Sequence, residues 1–124
     1  MRLFLLGLLS LFVVYPAVSG ADDEVDFERH IAPLLSKHGC NSGACHGSFA
    51  GRGGFRLSLF GHDPQADFQA MTREAQGRRI NRLHPELSLL LKKSLMRVAH
   101  QGGRRFGANS EAAHLLQDWI ANGA

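Results

Sequence analysis

Seven consecutive residues, Cys40-Asn41-Ser42-Gly43-Ala44-Cys45-His46, narrow the options for this chain before anything else does. They hold its only two cysteines and one of its seven histidines. Three chemistries use such a set. In haem attachment, two thiols add to the two vinyl groups and the adjoining His is carried onto the iron. The common signal for this is Cys-x-x-Cys-His. Here four residues separate the cysteines, but the demanding Cys45-His46 pair is intact, and Gly43 between Ser42 and Ala44 gives a pliant bridge that can bulge. A Cys40–Cys45 disulfide suits an exported chain, yet it closes a very short loop, stabilises little and leaves His46 without a role. A zinc site would have to recruit further histidines, and the spacing matches no common zinc module. The haem reading accounts for both thiols and the imidazole, with Cys40 and Cys45 as attachment points and His46 as an iron ligand.

The start of the chain predicts export. Arg2 precedes an almost wholly apolar run from Leu3 to Tyr15, then the small residues Ala17-Val18-Ser19-Gly20 and the acidic Asp22-Asp23-Glu24. This three-part pattern is that of a secretory signal peptide over 1–20, cut after Ser19 or Gly20. The apolar run is shorter than the roughly 20 residues of a spanning helix. The expected mature domain, 21–124, belongs in the periplasm or outside the cell. So small a domain buries limited apolar surface of its own, and a haem would add a large apolar plate.

The rest reads as mostly helical with long loops. Phe27, Ile31, Leu34 and Leu35 make one stripe on a helix from about Asp26 to Lys37, with a kink or restart at Pro33 and an end at Gly39. After a glycine-rich loop over 47–54, the alternation of Phe55, Leu57 and Leu59 with Arg56, Ser58 and Phe60 predicts one short strand. A second helix is expected over Pro64–Gln76, with Phe68, Met71 and Ala75 on one side. A third starts at Pro85 and carries Leu87, Leu90, Leu91 and Ser94. A last runs from Ser110 to about Asn122 with Leu115, Leu116, Trp119 and Ile120 as its stripe. Matching stripes on the first and last helices predict that the two pack together.

A second iron ligand would come from His or Met. His100 is the first choice: it lies in a loop far along the chain from His46, and Gly102-Gly103 beside it let backbone pass close to a haem face. Met96 is the runner-up, and the third alternative is no second protein ligand. Met71 and Trp119 read as core. His62 and His84 sit in turn sequences, His30 and His38 on or just past the polar side of the first helix, and His114 beside the stripe of the last.

The chain carries a formal charge of +3. Nine basic residues, Arg73, Arg78, Arg79, Arg82, Lys92, Lys93, Arg97, Arg104 and Arg105, crowd one stretch in which only Glu74 and Glu86 oppose them. They read either as a solvated face or as a positive surface that steers an acidic redox partner or neutralises haem propionates. An exported chain rarely meets nucleic acid. No paired carboxylates, nucleophile elbow or phosphate loop stands out, and Gly51, Gly53 and Gly54 form no dinucleotide fingerprint.

Beyond the attachment run, a wider pattern extends over Val25–Ala124: Phe27-Glu28-Arg29-His30-Ile31-Ala32-Pro33-Leu34-Leu35, His38-Gly39-Cys40, Cys45-His46-Gly47, Gly54-Phe55-Arg56-Leu57-Ser58-Leu59-Phe60-Gly61, Pro85-Glu86-Leu87-Ser88-Leu89-Leu90-Leu91 and the closing Trp119-Ile120-Ala121-Asn122-Gly123-Ala124. This resembles the planctomycete-type cytochrome c domain, which stands at the front of large exported proteins. The resemblance implies a cytochrome c-like fold, with terminal helices packed around one covalent haem c at Cys40 and Cys45 and iron bound by His46. Many such domains place Met-Pro near the position of Ala99-His100. The departure here weighs against Met ligation and favours His100. Three functions are in play: an electron carrier working with a redox partner protein, a haem-containing accessory or sensor module of a larger exported enzyme system or multidomain protein, and a haem-free, disulfide-closed binding domain.

Overall fold

The structure, a computed structural model, describes residues 24–124. The leader expected over 1–20 lies outside them. The first helical stretch opens as a π-helical turn, Phe27–Ile31, and continues as α1, Ala32–Lys37. Asp26 caps its start, its side chain accepting from the Arg29 amide. The change from π to α falls one residue before Pro33. The wider π turn meets the expected restart, because Pro33 has no N–H to donate back along the helix and its ring would press on the carbonyl four residues earlier.

α1 ends as the sequence predicts. Gly39 lies in the left-handed region (φ 69°), its N–H donates to the Ser36 carbonyl at 3.0 Å, and the Cys40 N–H donates to the Leu35 carbonyl at 2.9 Å. This is a complete Schellman closure, and it fixes the backbone of Cys40 directly to the end of α1.

The expected strand at Phe55–Phe60 is absent from the described residues; the only bridge there pairs Arg52 with Phe55. The alternation does not carry through to burial either: Leu57 is buried, but Leu59, on the same side of the pattern, is exposed like Phe60. No neighbouring strand is available. Instead the Leu57 N–H donates to the His46 carbonyl at 2.8 Å and the Phe60 N–H to the Asn41 carbonyl at 3.0 Å. The extended segment is thus laid along the irregular 40–47 loop.

α2, Pro64–Thr72, is shorter than the sequence suggests. Its missing last turn is displaced by side chains. Thr72 Oγ1 donates back to the Phe68 carbonyl at 2.7 Å, and Arg79 Nη1 takes the Ala70 and Glu74 carbonyls at 2.8 and 3.2 Å. Ala75 and Gln76 are then left-handed, and Ala75 is exposed rather than core. The third helix also divides. A 3₁₀ turn, Pro85–Leu87, precedes α3, Leu89–Ser94, because Ser88 between them is buried with its hydroxyl accepting from the Asn81 N–H. Leu91 and Leu95 are core, whereas Leu87 is exposed.

α4, Glu111–Ala121, is capped by Ser110, whose Oγ accepts from the Ala113 N–H. Leu116, Trp119 and Ile120 are buried along it. The two ends of the molecule pack together as expected, through an aromatic trio. The Phe27 ring lies 5.4 Å from both Phe68 and Trp119, and Phe68 lies 6.2 Å from Trp119. The architecture is mostly α, with long loops between the terminal helices. Among the described residues no helix is long and apolar enough to cross a membrane.

Candidate functional site

The loop from Cys40 to Gly47 is closed at its base. The His46 N–H donates to the Cys40 carbonyl at 2.9 Å, the Cys45 and Gly47 N–H groups both donate to the Ser42 carbonyl, and Gly43 and Ala44 are exposed at the tip. The two residues by which this bridge exceeds the common spacing are taken up in an outward bulge. The neighbourhood is tight: a Cβ on Gly47 would sit 2.0 Å from the Asn41 carbonyl oxygen. Asn41 is fully buried beneath the loop. Its Nδ2 donates to Ser36 Oγ at 2.8 Å, and its Oδ1 has no partner among the described residues.

Cys40 and Cys45 are free thiols and both are partly accessible. Burial pushes the Cys40 thiol up to about 11, against the opposing pull of Arg105. At neutral pH it is a protonated thiol rather than a thiolate.

His46 and His100 come together. Fifty-four positions apart in sequence, their rings lie with centroids 6.2 Å apart and planes within 10° of parallel. Each ring is oriented through Nδ1. His46 Nδ1 faces the Phe55 carbonyl at 3.0 Å, and His100 Nδ1 faces the Gly103 carbonyl at 2.8 Å. A carbonyl oxygen only accepts, so Nδ1 carries the proton in both rings and Nε2 keeps its lone pair. Burial lowers the His46 imidazole below its ordinary range, which favours the neutral, ligating form, although its bond to Phe55 acts the other way. Imidazoles oriented in this way through the far nitrogen are the usual form of a metal-bound histidine.

The ring-centre separation of 6.2 Å matches the one that a shared metal sets. With metal–nitrogen distances of about 2.0–2.1 Å, two imidazoles on opposite sides of one ion have ring centres roughly 6.3 Å apart. Gly102 supplies clearance, since a Cβ there would stand 3.0 Å from His100 Cε1. Two thiols, Cys45 directly before His46, and two imidazoles are the groups that a haem held by two thioethers and two imidazoles would require. Among the described residues no three His, Cys, Asp or Glu side chains converge as a bare-metal cluster.

Met96, the other candidate ligand, is exposed with left-handed backbone (φ 58°). His62, His84 and His114 are exposed. His30 does not lie idle on a polar face: its Nδ1 accepts from the Asp26 N–H at 2.8 Å. His38 is likewise engaged, Nδ1 against the Arg105 carbonyl at 3.2 Å and its ring 5.0 Å edge-on to Phe106.

Sequence reasoning missed two arginines. Arg79 and Arg105 belong to the basic stretch, but neither serves a solvated face. Arg79 is only 4% exposed. Besides capping α2 it donates from Nη2 to the Gly54 carbonyl at 2.7 Å and lies 4.6 Å over the Phe55 ring, next to the carbonyl that orients His46. Arg105 donates from Nη1 to the Gly102 carbonyl at 2.7 Å, and from Nε and Nη2 to the His38 carbonyl at 3.0 and 2.7 Å. The only sequence sign of either is a glycine nearby, Gly77 and Gly103. Comparison of the chain with family models, with curated proteins and with solved structures finds no match.

Proposed function

We propose that this chain is a small exported c-type cytochrome, carrying electrons through one haem attached at Cys40 and Cys45, with His46 and His100 as the two iron ligands. The observation that carries the reading is the His46–His100 pair: near-parallel rings 6.2 Å apart, each with Nδ1 spent on a backbone carbonyl and Nε2 free. Neither the attachment run nor the helices require two distant histidines to meet in this way.

The bound haem supplies a one-electron ferrous–ferric couple. The chain's residues do the rest. The Schellman closure of α1 and the His46–Cys40 backbone bond hold both thiols and the first imidazole as one unit. The Phe55 and Gly103 carbonyls set the tautomers, and two imidazole ligands favour a lower potential than an imidazole and a thioether. Arg73, Arg78, Arg82, Arg97 and Arg104 are exposed and supply a positive surface suited to steering an acidic redox partner. Export rests on the basic, apolar and small-residue order of the first 20 positions.

The test is expression in a host that attaches haem, followed by intact mass and an absorption spectrum. One haem adduct per chain and a sharp low-spin spectrum are expected, with conversion to high spin in His100→Ala. Colourless secreted protein with Cys40 and Cys45 joined as a disulfide would overturn the assignment in favour of a haem-free binding domain. A high-spin spectrum indifferent to His100→Ala would remove the second ligand.

A further inference from the structure

We propose that Arg105 is the positioning residue for His100: it clamps the 100–105 loop to the end of α1 and thereby sets His100 opposite His46. The inference rests on the two-histidine reading above and deepens it. Apart from Arg105, the His100 loop is tied down by Lys93 of α3, whose Nζ donates to the Ala99 carbonyl at 2.6 Å. The neighbours of His100, Arg97, Val98, Ala99 and Gln101, are exposed, and the loop lacks regular structure. Within it, the Gly103 N–H donates to the His100 carbonyl and the Gly103 carbonyl faces His100 Nδ1. These bonds shape the loop but fix it to nothing outside itself.

Arg105 makes the other outside connections, and it alone reaches the end of α1. Its N–H donates to the Ser94 carbonyl at 2.8 Å at the end of α3. Its guanidinium then bridges the Gly102 carbonyl, one residue before the carbonyl that orients His100, and the His38 carbonyl, two residues before Cys40. His38 returns the contact through Nδ1 to the Arg105 carbonyl. Three nitrogens of one planar fork are committed to two carbonyls that belong to the two halves of the site. A lysine, with a single flexible ammonium, cannot reproduce that fork. Fit is close, since a Cβ on Gly39 would stand 3.2 Å from Arg105 Nη2.

The experiment compares the full haem-loaded chain with its Arg105→Gln and Arg105→Lys variants. In the loaded protein, Arg105→Gln should convert at least half the population from low to high spin and raise the midpoint potential. Added imidazole should restore the low-spin spectrum, because His46 and the haem stay in place. Arg105→Lys should fall between wild type and Arg105→Gln. In the same loaded variants, amide exchange over 99–105 should rise at least tenfold, with the α4 amides unchanged. If both substitutions leave spectrum and potential at wild-type values, the proposal fails, even if exchange increases, because the arginine is then a loop staple that does not position the ligand. Unchanged exchange in the loaded variants overturns it as well. If wild type is itself indifferent to His100→Ala, the two-histidine reading fails and Arg105 as positioning residue fails with it. A wild type that responds to His100→Ala while the Arg105 variants do not refutes the clamp alone.

Discussion

His46 and His100 end side by side, but they are held in opposite ways. His46 is embedded in backbone: a helix closure on one side, a loop bonded across its own base, and an extended segment bonded to its carbonyl. His100 is held by side chains, in a loop whose outer residues face solvent. Arginine supports both, but Arg79 is buried in the core beneath Phe55 while Arg105 spans two loops nearer the surface. One half of the site is therefore part of the fold, and the other is attached to it. Substitutions on the His46 side should cost stability or haem attachment, whereas those on the His100 side should change ligation and leave the fold standing.

The sharpest way to break that contrast is to exchange the imidazoles. His46→Ala should lower haem attached per chain by about tenfold or more, read by intact mass, because the loop that presents both thiols loses its ring and its bond to Phe55. His100→Ala should retain full attachment and change only the spectrum. Equal losses in both would mean that the two halves do not differ. Next in size is Arg79→Ala, which leaves the buried Ala70 carbonyl and the partly buried Glu74 and Gly54 carbonyls without their donor. Denaturant unfolding should show a loss of about 2–4 kcal/mol.

The paired glycines give a finer comparison. Gly47→Ala forces a Cβ against the Asn41 carbonyl, and overpacking of that kind costs about 1–3 kcal/mol. Gly102→Ala meets only the edge of the His100 ring; it should cost less than about 1 kcal/mol but perturb the low-spin spectrum. The smallest effect belongs to Met96→Gly. A left-handed non-glycine residue costs about 1–2 kcal/mol, partly offset here by the greater unfolded-chain freedom of glycine, so stability should rise by less than about 1 kcal/mol. The spectrum should not change; a change would restore Met96 as a ligand.

The contrast also explains what the sequence discloses. Local chemistry was legible. Gly39 after Lys37, Pro33 within the first stripe, Ser110 before Glu111, and the Phe27 and Trp119 stripes all act through neighbours a few positions away, and they appear in the structure where reading along the chain puts them. What could not be read depends on partners far along the chain. The alternation at Phe55–Phe60 looks like a strand because sequence shows the period but not that the available partner is the irregular 40–47 loop. α2 stops at Thr72 because Arg79 takes the Ala70 carbonyl, and nothing local marks that arginine apart from the eight other basic residues around it. Arg105 was hidden likewise, since its partner His38 lies 67 positions away. His100 could be nominated by its glycines, but its approach to His46 is a tertiary fact.

The tie between the His46 N–H and the Cys40 carbonyl has one more consequence. It makes the sulfur-to-imidazole geometry a property of the loop's neck, while Gly43 and Ala44 sit beyond it, facing water. Contour length there is decoupled from the separation of the ends. A glycine added between Gly43 and Ala44 would enlarge the protrusion and leave the ends where they are, so counting residues between the two cysteines says little about how far apart they stand.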